Sequence, residues 1–88
     1  MEPCQQVFDC ITSILSDLLE KPQEELAANP DADFIKDYQM TSLHIFPLIS
    51  RLEDRLDIAL DYSEFINRGN SINSTVEFVL PVVEKNNQ

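Results

Sequence analysis

Glycine and basic residues are scarce in this 88-residue chain, and each shortage excludes a class of function. The single glycine excludes glycine-rich phosphate loops and tight two-residue hairpins, because both need residues that tolerate positive φ. Six basic against sixteen acidic residues give a formal net charge of −10, so the surface repels nucleic-acid phosphates and anionic membranes. We therefore expect no nucleic-acid binding, and we expect protein partners that carry basic patches.

Histidine and cysteine are too few for a metal centre or a catalytic site. His44 is the only histidine, and Cys4 and Cys10 form no CxxC pair, so a structural zinc site would lack ligands. Ser42 is close to His44 in the sequence, but residues two apart on a helix point to different faces, which disfavours nucleophilic catalysis. We predict that the protein is not an enzyme, that it binds no metal, and that His44 is a solvated surface side chain.

No apolar run is long enough to span a membrane, and the start of the chain lacks the cationic stretch of a signal peptide. A length of 88 residues corresponds to one domain, which we take as residues 1–88. The default setting is cytoplasmic and reducing, with both cysteines present as free thiols. We expect a monomer that does not insert into membranes.

Steps of three and four between apolar residues predict two long helices in the first two thirds of the chain. The first spans about residues 4–20. The second begins at Thr41 or Ser42, either of which can cap it through its hydroxyl, and ends near Leu56. Pro47 lies inside this second helix, where it removes an amide at a cost of about 3 kcal/mol and predicts a kinked or irregular first turn.

Two further helices are predicted after the second long one. Asp61 caps a short helix over residues 62–67, and Ser74 caps the last helix. Residues 75–83 are rich in β-branched side chains, so strand is a rival prediction, but helix is favoured because no second strand exists to pair with it. The predicted core consists of Phe8, Ile11, Leu15, Leu18, Phe34, Leu48, Ile49, Leu52, Phe65, Val76, Val79 and Leu80.

The connection between the two long helices, residues 21–41, is unusually long for so small a domain. Residues 23–28 within it can form a helical turn. A connection of this length usually has a functional reason, and this one delivers the chain to Thr41 and Ser42. Its apolar residues are expected to pin it to the core, and they are Phe34, Ile35 and Tyr38.

The stretch from residue 33 to 43 resembles the phosphopantetheine-attachment motif of the acyl carrier protein family, which reads roughly Asp-Leu-Gly-x-Asp-Ser-Leu. Asp37, Ser42 and Leu43 match that motif. In the family the motif lies at the start of the second of four helices, after a long loop, and the resemblance extends over nearly the whole chain. It implies an all-α four-helix bundle of acyl-carrier type, with a long loop between helices 1 and 2 and a short third helix.

Several residues depart from the pattern of the family. Gln39 stands where the family has glycine, so the approach of the chain to the helix is expected to differ. Thr41 stands where the family has aspartate, which keeps a capping group but removes one negative charge. Arg51 and Arg55 dilute the usual acidity of the second helix. Together these departures indicate a specialised carrier.

The resemblance implies a carrier that holds acyl or aminoacyl intermediates as thioesters on a 4′-phosphopantetheine arm, attached to Ser42 by a phosphopantetheinyl transferase that uses coenzyme A. A phosphodiester on this serine would lie at the positive end of a helix dipole. The carrier would serve separate loading and processing enzymes, as in fatty-acid or polyketide biosynthesis. The residues expected to contact partners are Asp37, Thr41, Leu43, Glu53 and Asp54. The alternative is an acidic helical protein-interaction module with a carrier-like fold that is not modified.

Overall fold

The structure, a computed structural model, describes residues 3–86 of the predicted domain, and helices joined by loops and turns make up that range. The absence of any strand in residues 3–86 decides the rivalry over residues 75–83 in favour of helix. No helix in the same range has the length and the apolar content that crossing a membrane would require. The five helices, in chain order, are α1 (Pro3–Leu19), α2 (Gln23–Ala28), α3 (Ser42–Leu56), α4 (Tyr62–Arg68) and α5 (Ile72–Asn86).

Helix α1 lies at the centre of the bundle, where it packs against α2, α3 and α5. Its fully buried apolar residues are Val7, Ile11, Ile14 and Leu15, whose steps of three and four place them on one face. Helix α4 packs against α5. The expected helical turn at residues 23–28 is confirmed as α2, so the predicted four-helix bundle is observed with this short helix as an addition.

The predicted core is largely confirmed. Nine of the twelve predicted residues are buried, and Phe8, Leu18 and Leu80 are half-buried at the edge of the core. The most informative omissions are Val7 and Ile14, which are fully buried on a helix that packs against both α3 and α5. A helix that is covered on two sides buries a wider stripe than one that packs against a single neighbour.

The last helix begins earlier than predicted, and its cap is Ser71 rather than Ser74. The Ser74 N–H donates to the Ser71 hydroxyl oxygen at 3.1 Å, and the Thr75 N–H donates to the Ser71 carbonyl at 2.9 Å. An N-cap residue accepts such bonds, from the third helical residue to its side chain and from the fourth to its carbonyl. The prediction of Ser74 as cap was wrong because two serines three residues apart offer the same sequence signal.

Hydrogen bonds tie the long connection to the link between α4 and α5. The Phe34 N–H donates to the Asn70 carbonyl at 2.9 Å, and the Asn73 N–H donates to the Pro30 carbonyl at 3.0 Å. The Asn73 side chain also donates to the Asp31 carboxylate at 2.8 Å. These bonds anchor the middle of the connection, residues 30–34, to the link between α4 and α5.

Apolar side chains add to this anchoring, although not all three of the predicted ones do. Phe34 is fully buried and Tyr38 is half-buried against the core. Ile35 is 62% exposed, so its predicted role as a pin was wrong. Phe34 and Ile35 are neighbours in a tight turn, and such a turn can direct only one of them into the core.

Candidate functional site

Ser42 is the first residue of α3, and it is exposed. The residue before it, Thr41, is the N-cap, with an extended backbone at φ −123° and ψ −177°. Of the two hydroxyl groups that were predicted as possible caps, the one that caps the helix is that of Thr41. The Ser42 hydroxyl makes no hydrogen bond to any other residue in the range 3–86, which leaves it available for chemistry.

The cap at the start of α3 consists of reciprocal hydrogen bonds between Thr41 and the first turn. The Leu43 N–H donates to the Thr41 hydroxyl oxygen at 3.2 Å. In return, the Thr41 N–H donates to Nδ1 of the His44 imidazole at 3.1 Å. The arrangement is that of a capping box, in which the third helical residue usually contributes a glutamate or glutamine. His44 is half-buried and its ring is bound in the cap, so it lies at the surface as predicted but is not a fully solvated side chain.

The segment before the cap is a compact turn built on two aspartates. One oxygen of Asp33 accepts from the N–H groups of Ile35 and Lys36, each at 2.9 Å. The Asp37 carboxylate accepts from the Asp33 N–H at 2.7 Å. The bond from the Lys36 N–H, assisted by the one from Ile35, lowers the pKa of Asp33 below its ordinary value of 3.8. Asp37, a predicted partner contact, is exposed but has one oxygen engaged within this turn.

Gln39 adopts the left-handed conformation, which glycine tolerates and other residues rarely adopt. Its φ is 54°, and the next residue, Met40, is buried, with its N–H donating to the Phe34 carbonyl at 3.0 Å. The glutamine thus adopts a positive φ despite its side chain, and the expected difference from the family in the approach to the helix stays a prediction. A side chain at a left-handed position costs about 1–2 kcal/mol, so the burial and hydrogen bonding of the neighbours impose this conformation.

Helix α3 continues through Pro47 without interruption, from Ser42 to Leu56. Pro47 is the sixth residue of the helix, so its missing N–H falls just beyond the first turn, whose amides have no intrahelical acceptor. The carbonyl of Leu43, which would have accepted from it, belongs to a highly exposed residue. The predicted kink in the helix axis stays a prediction.

An apolar surface next to Ser42 joins α3 to α4. The Phe46 and Tyr62 rings are stacked, with centroids 4.4 Å apart and planes within 10°. Leu43 and Phe46 are 82% and 55% exposed, and Ile66, one turn after Tyr62, is 46% exposed. We call these four residues the α3–α4 apolar face. Of these four residues, only Leu43 was predicted from the sequence to contact a partner. The three-residue step from Leu43 to Phe46 could have predicted that Phe46 lies on the same face of the helix.

The acidic residues that were expected to meet partners have different surroundings. The Glu53 carboxylate is half-buried and accepts from the Leu60 N–H at 2.9 Å, so it stabilises the link between α3 and α4. Asp54 is exposed. The guanidinium of Arg51 lies 3.9 Å from the Asp17 carboxylate, and Arg55 donates to the Ser13 hydroxyl at 3.3 Å, so both arginines face α1.

A cleft of about 580 Å³ lies beside the long connection, away from α3. Glu25, Asp31 and Asp37 line it together with Tyr38. Burial, followed by the charges of Glu25 and Asp37, raises the pKa of the Tyr38 phenol. Ser42 is not among the residues that line this cleft, and we assign the cleft no part in the chemistry at the start of α3.

The start of α3 fits a covalent phosphodiester. The Ser42 hydroxyl is exposed and unbonded, and the Ser42 N–H has no acceptor among residues 3–86. A phosphate on the hydroxyl oxygen would lie beside that N–H and at the positive end of a fifteen-residue helix. No group of three or more metal-ligating side chains occurs in the described range.

Comparisons with known proteins place the chain in a family. The sequence pattern of a family described as "Phosphopantetheine attachment site" matches residues 9–79. Acyl carrier proteins from two strains of Borreliella burgdorferi, ZS7 and B31, are each 28% identical to this chain over 74 residues, which cover 84% of this chain and 89% of theirs. No solved structure gives a significant match.

Proposed function

Because the chain belongs to the phosphopantetheine-attachment family of carrier domains, we propose that it carries its 4′-phosphopantetheine on the Ser42 hydroxyl oxygen. Members of this family are carriers rather than catalysts, and their cofactor is bound covalently. The observation that supports Ser42 is its exposed hydroxyl, which the Thr41 cap leaves free at the first residue of α3. In the bound state the cofactor supplies a terminal thiol on a flexible arm.

The attachment is a phosphoryl transfer in which this chain provides the nucleophile. The Ser42 hydroxyl oxygen forms a bond to the phosphorus that bears the pantetheine of coenzyme A, and the bond between that phosphorus and the bridging oxygen of the diphosphate breaks. Adenosine 3′,5′-bisphosphate leaves, and the hydroxyl proton passes to a base of the transferase. The described part of this chain offers no base in contact with the Ser42 hydroxyl, since the His44 Nδ1 accepts from Thr41.

The cargo of the carrier is an acyl or aminoacyl group held as a thioester and delivered to separate biosynthetic enzymes in the cytoplasm. The net charge of −10 draws partners that have basic patches, and this steering raises the association rate more than the affinity. Among the predicted partner contacts, Leu43 and Asp54 are exposed, whereas the Glu53 carboxylate is held by the Leu60 N–H. Added salt should therefore slow association with these enzymes.

Mass spectrometry after incubation with coenzyme A, magnesium and a broad-specificity phosphopantetheinyl transferase tests the proposal. We expect one phosphopantetheine increment on the peptide that contains Ser42, and no increment on the Ser42→Ala variant. Ser50→Ala is the matched control, since Ser50 is exposed on the same helix, and it should be modified like the unaltered chain. Modification on any other residue, or unreduced modification of Ser42→Ala, would refute the assignment.

The exposed α3–α4 apolar face favours a second candidate function, because it can bind a partner without any arm. In that case the protein is an acidic helical interaction module with a carrier-like fold. Failure of several transferases to modify a folded chain, together with partner binding that Ser42→Ala does not weaken, would favour this candidate.

A further inference from the structure

We propose that His44 is a positioning residue for the modification of Ser42: its imidazole, by accepting from Thr41, holds the turn that presents the serine. The inference rests on the proposed attachment at Ser42. The side chain of His44 has no role in the chemistry described above, yet it is half-buried and its Nδ1 lies 3.1 Å from the Thr41 nitrogen.

The bond from Thr41 determines which form of the imidazole is present. A nitrogen that accepts from an N–H group must bear a lone pair, so Nδ1 is unprotonated and the ring proton lies on Nε2. The same residue is held through its backbone, since the His44 N–H donates to the Thr41 carbonyl at 2.9 Å. Backbone and side chain of His44 thus bind both polar groups of the Thr41 backbone.

These two bonds restrain the backbone of Ser42. Ser42 and Leu43 lie between the two bonded residues, so the side-chain bond closes a ring that includes the Ser42 backbone. On the other side, Met40 is buried and Gln39 has a left-handed φ, so the chain reaches Thr41 along a constrained path. Without the imidazole, the Thr41 N–H would bond to water instead. The Thr41 backbone, which links the buried Met40 to the exposed Ser42, would then be less restrained.

The His44→Gln substitution tests whether the hydrogen bond to Thr41, rather than the imidazole itself, is what matters. At this third helical position the amide oxygen of glutamine can accept from the N-cap N–H, as in an ordinary capping box, whereas alanine cannot. We expect His44→Ala to lower kcat/KM for modification of Ser42 roughly fivefold, which corresponds to the loss of one capping interaction. His44→Gln should restore most of that loss, although it does not restore the imidazole.

The experiment compares the unaltered chain with His44→Ala and His44→Gln at a temperature where circular dichroism shows all three to be folded. It measures kcat and KM for the transferase, hydrogen exchange of the Thr41 amide in the unmodified proteins, and the ¹⁵N shifts of the His44 imidazole. We expect faster exchange at Thr41 only in His44→Ala, and ring shifts that show an unprotonated Nδ1 in the unaltered chain.

Equal exchange rates at Thr41 in all three proteins, or a His44→Gln variant modified as slowly as His44→Ala, would overturn the inference. If the unaltered chain is not modified at all, the proposed function fails, and the inferred positioning for modification fails with it. The exchange rates and ring shifts then still decide whether His44 caps Thr41, so the two failures are distinguishable.

Discussion

Two regions flank Ser42 and are built in opposite ways. The second half of the connection, residues 30–41, precedes it. Hydrogen bonds hold this half to its own backbone and to the link between α4 and α5. The α3–α4 apolar face that follows it is exposed, and its internal contact is the stacking of Phe46 on Tyr62. The two regions therefore differ in what they can do. The connection fixes the position of Ser42, and the α3–α4 apolar face is free to contact partners.

The largest effect is expected from removing the apolar anchor of the connection. Phe34 is fully buried, and Phe34→Ala should lower the free energy of unfolding by about 3–5 kcal/mol through lost burial and the cavity left behind. Urea denaturation measures this change. The adjacent Ile35→Ala is the control, because Ile35 is mostly exposed, and it should change stability by no more than about 0.5 kcal/mol. Similar losses in both variants would contradict the anchoring role of Phe34.

Substitutions in the α3–α4 apolar face should change the free energy of unfolding much less than Phe34→Ala does. A double-mutant cycle on Phe46→Ala and Tyr62→Ala should give a coupling energy of about 0.5–1.5 kcal/mol in the free protein, as expected for an aromatic pair. Calorimetry should show that Phe46→Ala lowers the free energy of binding to a processing enzyme by more than it lowers the free energy of unfolding, because more than half of the Phe46 side chain is exposed and aromatic side chains often dominate interfaces. Unchanged binding by Phe46→Ala would show that partners do not contact this face.

A smaller effect is expected from relieving the left-handed residue in the connection. Gln39→Gly removes the conformational cost at φ 54° but adds freedom to the unfolded chain, so a net gain of about 0.5 kcal/mol is expected. Thermal denaturation can detect this gain. Gln39→Ala keeps the strained backbone and should not show it, and a destabilised Gln39→Gly variant would mean that the glutamine side chain itself stabilises the turn.

The smallest effect concerns the acid dependence of the same turn. The pKa of Asp33 is lower in the folded than in the unfolded chain, so its stabilisation is complete above the ordinary value of 3.8 and is lost as the pH falls through the folded value. Asp33→Asn keeps an oxygen that can accept from Ile35 and Lys36 but does not titrate in this range. The pH profile of the free energy of unfolding should therefore be flatter below pH 4 in this variant. An unchanged slope would contradict the folded-state pKa shift.

The helices and most of the core could be predicted from the sequence because they depend on periodicity, which is a local property. The bounds of α3 and the short α4 with its Asp61 cap were predicted closely, and so were buried residues such as Leu48 and Leu52. Periodicity fails where two residues offer equal signals. Ser71 and Ser74 could each cap α5, and only the packed position of the helix start selects Ser71.

The site was predicted less completely, because its contacts depend on side-chain geometry. The position of Ser42 at the start of a helix followed from the pattern of the chain. The use of the His44 imidazole in the cap did not, since histidine is an uncommon third residue of a capping box. The engagement of Glu53 by the Leu60 N–H depends on how the chain turns after α3, and no spacing in the sequence shows that turn.

The restrained backbone at Ser42 affects how a cargo attached through the arm would reach an active site. In the proposed carrier the arm begins at the Ser42 hydroxyl oxygen, two bonds from a backbone that the Thr41 cap fixes, so its range is determined almost entirely by the arm. A fixed base confines the cargo to a smaller volume than a mobile base would, which raises its effective concentration at a docked enzyme. Such a carrier relies on docking to aim the arm, and the apolar face beside the arm's base is placed to set that direction.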